Sequence, residues 1–212
     1  MRLTVFGATG GIGGEIVRQA LASGHHVTAV VRDPARLAAI GDRLDVVRAD
    51  LTDAGVLRGA VAGRDAVLSG LGARGRADAR AGVATRLTVP VLRAMEAEGT
   101  RRLLVVSAAP LAPVVEREAL ADRVALALVG RVFKAVYDDL RALEAELARS
   151  ATDWTSVRPP RLLDTPLTGT YRTAVGRNPR GARRIGRADV AHAMLTMIDD
   201  AGTVKEGVGV AY

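Results

Sequence analysis

The sequence predicts an α/β protein: a single domain over residues 1–212 with a doubly wound, mostly parallel sheet and helices on both faces. Three observations predict it. Short apolar runs of strand length alternate with segments of helical period from the first residues onward. Those runs are nearly continuous in apolar residues, the pattern of strands buried on both faces of a parallel sheet. The first run also passes through a glycine-rich turn straight into a helix-period segment, as the opening of a strand–helix–strand unit does.

The elements follow in order. Leu3-Thr4-Val5-Phe6 reads as the first strand and stops at Gly7. The helix after the glycine turn places Ile16, Ala20 and Leu21 on one face, with Gly24 where a C-terminal cap is expected. Val27-Thr28-Ala29-Val30-Val31 is a second strand rich in β-branched residues, Asp45-Val46-Val47 a third and Ala66-Val67-Leu68-Ser69 a fourth. Leu103-Leu104-Val105-Val106 is the clearest strand, and Trp154-Thr155-Ser156-Val157 is the sixth. Leu87, Val91 and Met95 mark a helix that runs to Gly99, with Pro90 as a kink or an early-turn proline. Leu140, Leu143 and Leu147 mark another over residues 137–149. Val190, Met194 and Met197 mark a last one, which Asp189 is expected to cap. The expected strand order is 3-2-1-4-5-6. Two segments fit this pattern poorly: residues 110–130, apolar and long enough for an inserted helix, and residues 159–187, rich in Gly, Pro, Arg and Thr, with room for a short strand. Loops leaving the carboxyl ends of strands build the crevice of such a sheet, so these two segments are the expected walls of a substrate site.

Composition narrows the chemistry. With 212 residues, 49% hydrophobic and 25% charged, the chain can bury a full core without staples. It has no cysteine, which removes disulfides, thiolate metal sites and cysteine nucleophiles together. Its three histidines, His25, His26 and His192, give no basis for a histidine-rich metal site. The net charge is +7, and 28 of the 30 basic residues are arginine, the exceptions being Lys134 and Lys205. The arginines are spread along the chain and aromatics are only 3%, too few for base-stacking platforms, so no nucleic-acid partner is expected. No run approaches the ~20 apolar residues of a membrane span, nor does the start resemble a cleaved leader, so a cytoplasmic protein without a membrane partner is expected.

The sharpest motif is Gly7-Ala8-Thr9-Gly10-Gly11-Ile12-Gly13. Its glycines fall at every third position, a G-x-x-G-x-x-G spacing that differs from the commoner dinucleotide fingerprint but serves the same physics. Missing Cβ atoms let the chain turn sharply, let backbone N–H groups approach a diphosphate, and let the helix pack close to the strand. No Gly-Lys-Ser/Thr follows, so this is not the phosphate loop of nucleotide hydrolases. The second strand ends Val31-Arg32-Asp33, with Arg36 four residues beyond Arg32. A carboxylate at that strand end favours NAD(H), whereas an arginine grips a 2′-phosphate, so Arg32 and Arg36 point to NADP(H) and Asp33 keeps NAD(H) open.

With GATGGIG and VVRDPARL in residues 1–37, the chain resembles the atypical short-chain dehydrogenases/reductases, and within them the small NAD(P)H-binding proteins that include biliverdin reductase B (a flavin reductase) and NmrA-like proteins. The likeness continues through Arg48-Ala49-Asp50-Leu51, Ser69-Gly70-Leu71-Gly72, Val105-Val106-Ser107-Ala108, Asp153-Trp154-Thr155-Ser156-Val157-Arg158-Pro159 and Ile185-Gly186-Arg187-Ala188-Asp189-Val190-Ala191, nearly the whole chain. It implies a Rossmann-type fold. It also implies that Gly7 and Thr9 to Gly13 hold the diphosphate, with Gly10, Gly11 and Ile12 among them, and that Arg32 and Arg36 hold the 2′-phosphate. Asp50 and Leu51 would frame the adenine, Gly70, Leu71 and Gly72 would pass beneath the nicotinamide ribose, Ser107 would face nicotinamide and substrate, and Arg158 with Pro159 and Pro160 would close the far wall. Asp50 reads equally as a helix cap, and Ser107 as a strand-end polar residue.

Many short-chain dehydrogenases use a Tyr-x-x-x-Lys pair in which the lysine lowers the tyrosine pKa. Here Tyr137-Asp138-Asp139-Leu140-Arg141 has the tyrosine but an arginine in the lysine position, and two carboxylates beside the phenol. Tyr137 and Ser107 are the candidate catalytic residues. Reduction of a planar acceptor needs chiefly alignment with the nicotinamide, since the cofactor carries the hydride chemistry. The expected function is therefore an NADPH-dependent reductase of a flavin, quinone or tetrapyrrole-like acceptor, with Arg74, Arg76 and Arg80 as candidate contacts for an anionic one. Two alternatives stay open: a non-catalytic NADP(H)-binding redox sensor, as in the NmrA-like branch, and a sugar-nucleotide epimerase relative.

Overall fold

The computed structural model describes residues 1–37, 41–73, 75–113 and 133–212. Its main sheet has eight strands: β1 (Arg2–Phe6), β2 (His26–Val31), β3 (Leu44–Arg48), β4 (Ala66–Ser69), β5 (Arg102–Val106), β6 (Asp153–Arg158), β8 (Arg172–Val175) and β10 (Glu206–Ala211). They lie in the order β3-β2-β1-β4-β5-β6-β10-β8. The first six reproduce the expected 3-2-1-4-5-6 order. All neighbours are parallel except β8, which runs antiparallel to β10. A separate two-stranded parallel sheet pairs β7 (Arg161–Leu163) with β9 (Arg184–Gly186).

Helices α1 (Gly11–Ala22) and α6 (Arg187–Thr196) cover one face of the main sheet, where Ile16, Val17, Val190 and Met194 pack on Leu3, Val5 and Ala29. The other face is covered by α2 (Ala54–Val61), α4 (Val83–Glu98) and α5 (Lys134–Arg149), whose Leu57, Val91, Met95, Leu143 and Leu147 meet Phe6, Val67 and Leu103. The short α3 (Arg76–Arg80) precedes α4. Three layers result, the arrangement of a Rossmann-type α/β fold.

Several local expectations change. The helix expected over residues 137–149 begins earlier, at Lys134, and Pro90 lies inside α4. Residues 159–187 hold three strands, β7, β8 and β9, where a single short one was expected. The C-terminal β10 carries no clear sequence signal, because two of its six residues are glycine. Both glycines leave room for a neighbour: a Cβ on Gly207 would lie 2.3 Å from the Arg158 guanidinium carbon, and one on Gly209 would lie 2.5 Å from the Arg177 carbonyl oxygen. The helix expected within 110–130 falls mostly outside the described residues. Asp189 does not cap α6; its carboxylate accepts from Thr168 and Gly169 backbone N–H groups and from the Tyr212 hydroxyl, tying the 164–170 loop to the C-terminus. Among the described residues no helix is long and apolar enough to cross a membrane.

Candidate functional site

A cleft of about 1330 Å³ opens along the carboxyl ends of the parallel strands. It lies where the strand order reverses on either side of β1, the place at which doubly wound sheets bind ligands. Its floor is the glycine turn. Gly7 has φ +73, a left-handed conformation that glycine adopts without strain, and a Cβ there would sit 2.8 Å from the Gly70 carbonyl carbon. A Cβ on Gly13 would lie 2.2 Å from the Gly7 carbonyl oxygen, and one on Gly70 would lie 2.9 Å from the Gly13 nitrogen. Gly7, Gly13 and Gly70 therefore let three backbones touch. Gly10 and Gly11 have a different task. Both line the cleft, Gly10 as the N-cap of α1, and the first intrahelical bond is Gly14 N–H to Gly10 C=O. The N–H groups of Gly11, Ile12 and Gly13 have no intrahelical acceptor, as in the first turn of any helix, and α1 has no acid in that turn. The glycine turn is thus a cradle that added Cβ atoms would fill, and it suits a diphosphate.

The structure brings most of the sequence-derived residues to this cleft: Gly7, Thr9, Gly10, Gly11, Ile12, Arg32, Asp50, Leu51, Gly70, Leu71, Gly72, Ser107 and Pro159 all line it. Gly13 does not, because it serves the packing of α1 on β1 and β4. Arg36 lies outside the lining, in the 3₁₀ turn Pro34–Arg36. Asp33, the residue that kept NAD(H) open, spends its carboxylate on the N–H of Ala35 at the start of that turn and does not line the cleft.

Two further arginines line the cleft. In the β2–β3 register Val31 pairs with Arg48, so Arg48 ends its strand beside Arg32, and both line the cleft. Arg86 of α4 completes the group. Only the register between two strands could have revealed Arg48, and only helix packing Arg86. Asp50 lies among them, its carboxyl held below the usual range first by the Thr52 N–H, then by the Thr52 hydroxyl and the charges of Arg32 and Arg86. It closes a local turn through Thr52, while the neighbouring Asp53 caps α2.

Of the two candidate catalytic residues, the structure brings Ser107 to the cleft and leaves Tyr137 off it. Ser107 lines the cleft, but its hydroxyl oxygen is buried and meets no hydrogen-bond partner of good geometry among the described residues. It is turned toward Glu144. Burial pushes the Glu144 carboxyl up, but hydrogen bonds from Arg158 and Ser156, the Arg158 charge and, least, the Ser107 hydroxyl outweigh it and hold its pKa low. Arg158 meets Glu144 with two hydrogen bonds of 2.9 and 2.8 Å, both side chains being less than a fifth exposed. Arg158 is therefore an internal brace and not part of the cleft wall; Pro159 and Pro160 line the cleft instead.

Tyr137 is half-buried in the first turn of α5, while Val136 and Leu140 of that helix line the cleft and Tyr137 does not. Burial raises its phenol pKa, the opposite of what a proton-transferring tyrosine needs. Asp138 pairs with Lys134 and Arg141, so the arginine in the lysine position is spent on a carboxylate. The buried Asp139 reaches across to α4, accepting from the N–H groups of Ala84 and Thr85 and supplying the cap that helix lacks. The two carboxylates thus face away from the phenol's task. Arg80 is exposed outside the lining, Arg74 lies outside the described residues, and so does the side chain of Arg76. Among the described residues no cluster of His, Asp or Glu could hold a metal ion.

The profile of a family described as NAD(P)H-binding matches residues 7–201. Among solved structures, a candidate exported protein from Burkholderia pseudomallei is 26% identical with a TM-score of 0.77, covering 100% of each chain. A candidate NADH-flavin reductase from Streptococcus pneumoniae TIGR4 is 25% identical with a TM-score of 0.81, covering 100% of this chain and 99% of that one. A wide-type short-chain dehydrogenase/reductase from Veillonella parvula DSM 2008, solved in complex with NADP, is 21% identical with a TM-score of 0.73, covering 100% and 94%.

Proposed function

The chain belongs to the NAD(P)H-binding family, and from that premise we propose that it is a cytoplasmic NADPH-dependent reductase of a planar acceptor: a flavin, a quinone or a tetrapyrrole-like molecule. The observation that carries this reading is the cleft itself. It runs from an arginine cluster at the ends of β2 and β3, across the glycine cradle, to a wall of Ala108, Leu140, Pro159, Pro160 and Leu162. Arg32 and Arg48 would hold the 2′-phosphate, with Arg86 adding charge beside them, and the position of Asp33 outside the cleft lining, its Oδ1 accepting from Ala35, supports NADP(H) over NAD(H). The amides of Gly11 and Ile12 would hold the diphosphate, while Gly70 to Gly72 would run under the nicotinamide ribose. The bound nicotinamide supplies a hydride at its C4 position.

The protein's own contribution is alignment. The apolar wall stacks a flat acceptor and excludes water from one of its faces, while the buried Ser107 hydroxyl and the off-cleft Tyr137 leave the proton to come from solvent. That suits acceptors whose reduced form takes a proton readily from water. Similarity to the Streptococcus protein supports a flavin first.

The test is oxidation of NADPH in the presence of FMN, riboflavin, a quinone series and biliverdin-type tetrapyrroles. Turnover with one class, and none without it, is the expected result. The same inward hydroxyl and displaced tyrosine favour a second reading, a nucleotide sensor that binds NADP(H) without turnover. Tight binding with no oxidation across the whole panel selects the sensor.

A further inference from the structure

Arg187 is a cleft residue that neither the glycine motif nor the arginine cluster accounts for. The β7–β9 register pairs Leu163 with Gly186, so the next residues, Asp164 and Arg187, emerge side by side. They form an ion pair of 2.6 Å in which the Asp164 side chain is 87% exposed and Arg187 only 32%. The arginine side chain lies across the start of α1: a Cβ on Gly11 would be 2.6 Å from Arg187 Cδ and 3.0 Å from its Nε. Its backbone is fixed there by α1, because Gln19 donates to the Ala188 carbonyl at 2.9 Å.

This is an unfavourable place for a cation. The positive end of a helix dipole attracts anions, and the first turn of α1 carries no acid and no capping side chain. The compensating Asp164 is almost wholly in water, where an ion pair contributes little. The neighbouring Asp189 is occupied by Thr168, Gly169 and Tyr212 and cannot take its place. An anion between the Gly11 and Ile12 amides and the Arg187 guanidinium would relieve the arrangement from both sides.

Resting on the dinucleotide reading above, we propose that Arg187 is an exchangeable clasp: it leaves Asp164 when the dinucleotide binds and closes over the diphosphate from the face opposite the glycine turn. Asp164 holds the arginine when the cleft is empty and competes with the ligand for it. The two strands that deliver this pair exist in the fold as the separate small sheet, which gives that sheet a task in nucleotide retention.

The test is calorimetric titration of the full chain with NADPH and with adenosine 2′-monophosphate, which keeps the 2′-phosphate but has no phosphate at the 5′ position. Arg187→Ala should weaken NADPH by about tenfold to a hundredfold, as loss of charged hydrogen bonds to phosphate does, and should change adenosine 2′-monophosphate by less than about threefold. Asp164→Asn should tighten NADPH by about two- to fivefold, the worth of the exposed pair it removes. Gly11→Ala, which leaves both charges in place but fills the space under the arginine, should weaken NADPH with thermal stability retained. Arg187→Ala binding NADPH like wild type, equal losses on both ligands, or Asp164→Asn binding no tighter than wild type overturns the clasp. Wild-type protein that binds neither ligand overturns the dinucleotide reading itself.

Discussion

At the amino ends of β5 and β6 the polar groups are closed on one another, whereas at the carboxyl ends of β1, β2 and β3 they are left open to a ligand. Below, Arg102 is more than half buried and donates to the carbonyls of Met197, Ile198 and Asp153 and to the hydroxyls of Thr155 and Thr203. Arg101 adds a two-bond pair with Asp153. Above, Arg32, Arg48 and Arg86 form no salt bridge among the described residues. The contrast separates two uses of arginine. One end invests its guanidinium in stability, and the other holds charge and amides in reserve, as a preorganised site must.

Four experiments would break or sharpen that contrast. The largest effect is expected from Arg102→Met, which strands several buried acceptors and should cost about 3–5 kcal/mol in a denaturant melt. NADPH affinity extrapolated to native conditions should stay near wild type; a destabilisation under 1 kcal/mol would show that the lower end is not the anchor.

Within the glycine motif the same division should appear. Gly13→Ala forces a Cβ against the Gly7 carbonyl and should lower stability by about 3 kcal/mol, the upper range of overpacking. In Gly10→Val the new Cβ meets only the Gly7 carbonyl oxygen, at 3.2 Å, and the branched side chain it carries should intrude into the cleft. It should abolish NADPH binding while costing about 1 kcal/mol or less. If the two variants behave alike, packing and cradle are not separable.

Smaller still, Arg32→Asp should weaken NADPH by about tenfold or more, with much less effect on NADH, since a charged contact to phosphate becomes a repulsion. Equal losses on both nucleotides would move the 2′-phosphate elsewhere. The smallest expected effect is an acid one. The folded Glu144 pKa is depressed, so its stabilising contribution is complete above the ordinary glutamate value of about 4.3 and fades as pH falls through the folded value. Glu144→Gln should therefore lose less stability than wild type between neutral pH and about pH 3.5; parallel losses would show that other carboxylates set the acid limit.

The parallel strands were legible because burial on both faces demands continuous apolar runs, and the six runs in the sequence became β1 to β6 in the expected order. The last strand was not, since Gly207 and Gly209 answer to Arg158 and to residues 177–179, contacts that no local pattern announces. Sites divided in the same way. Gly10, Gly11 and Arg32 could be placed from the chain because a strand end and a helix start are local events. Arg48 needed the Val31 register, Asp139 needed α4 beside it, and Tyr137 and Arg158 were misplaced because helix facing and the Glu144 brace are decided by packing.

What the sequence determined by itself is the sheet, its order through the sixth strand and the glycine turn at its centre, because hydrophobic period and missing Cβ atoms act within a few residues. Only the tertiary structure decided which polar groups face the cleft. It turned Ser107 inward, gave Arg158 to Glu144 and brought Arg187 over Gly11. Those outcomes depend on charges and backbones far apart in the chain, whose mutual distances exist only after the layers have packed.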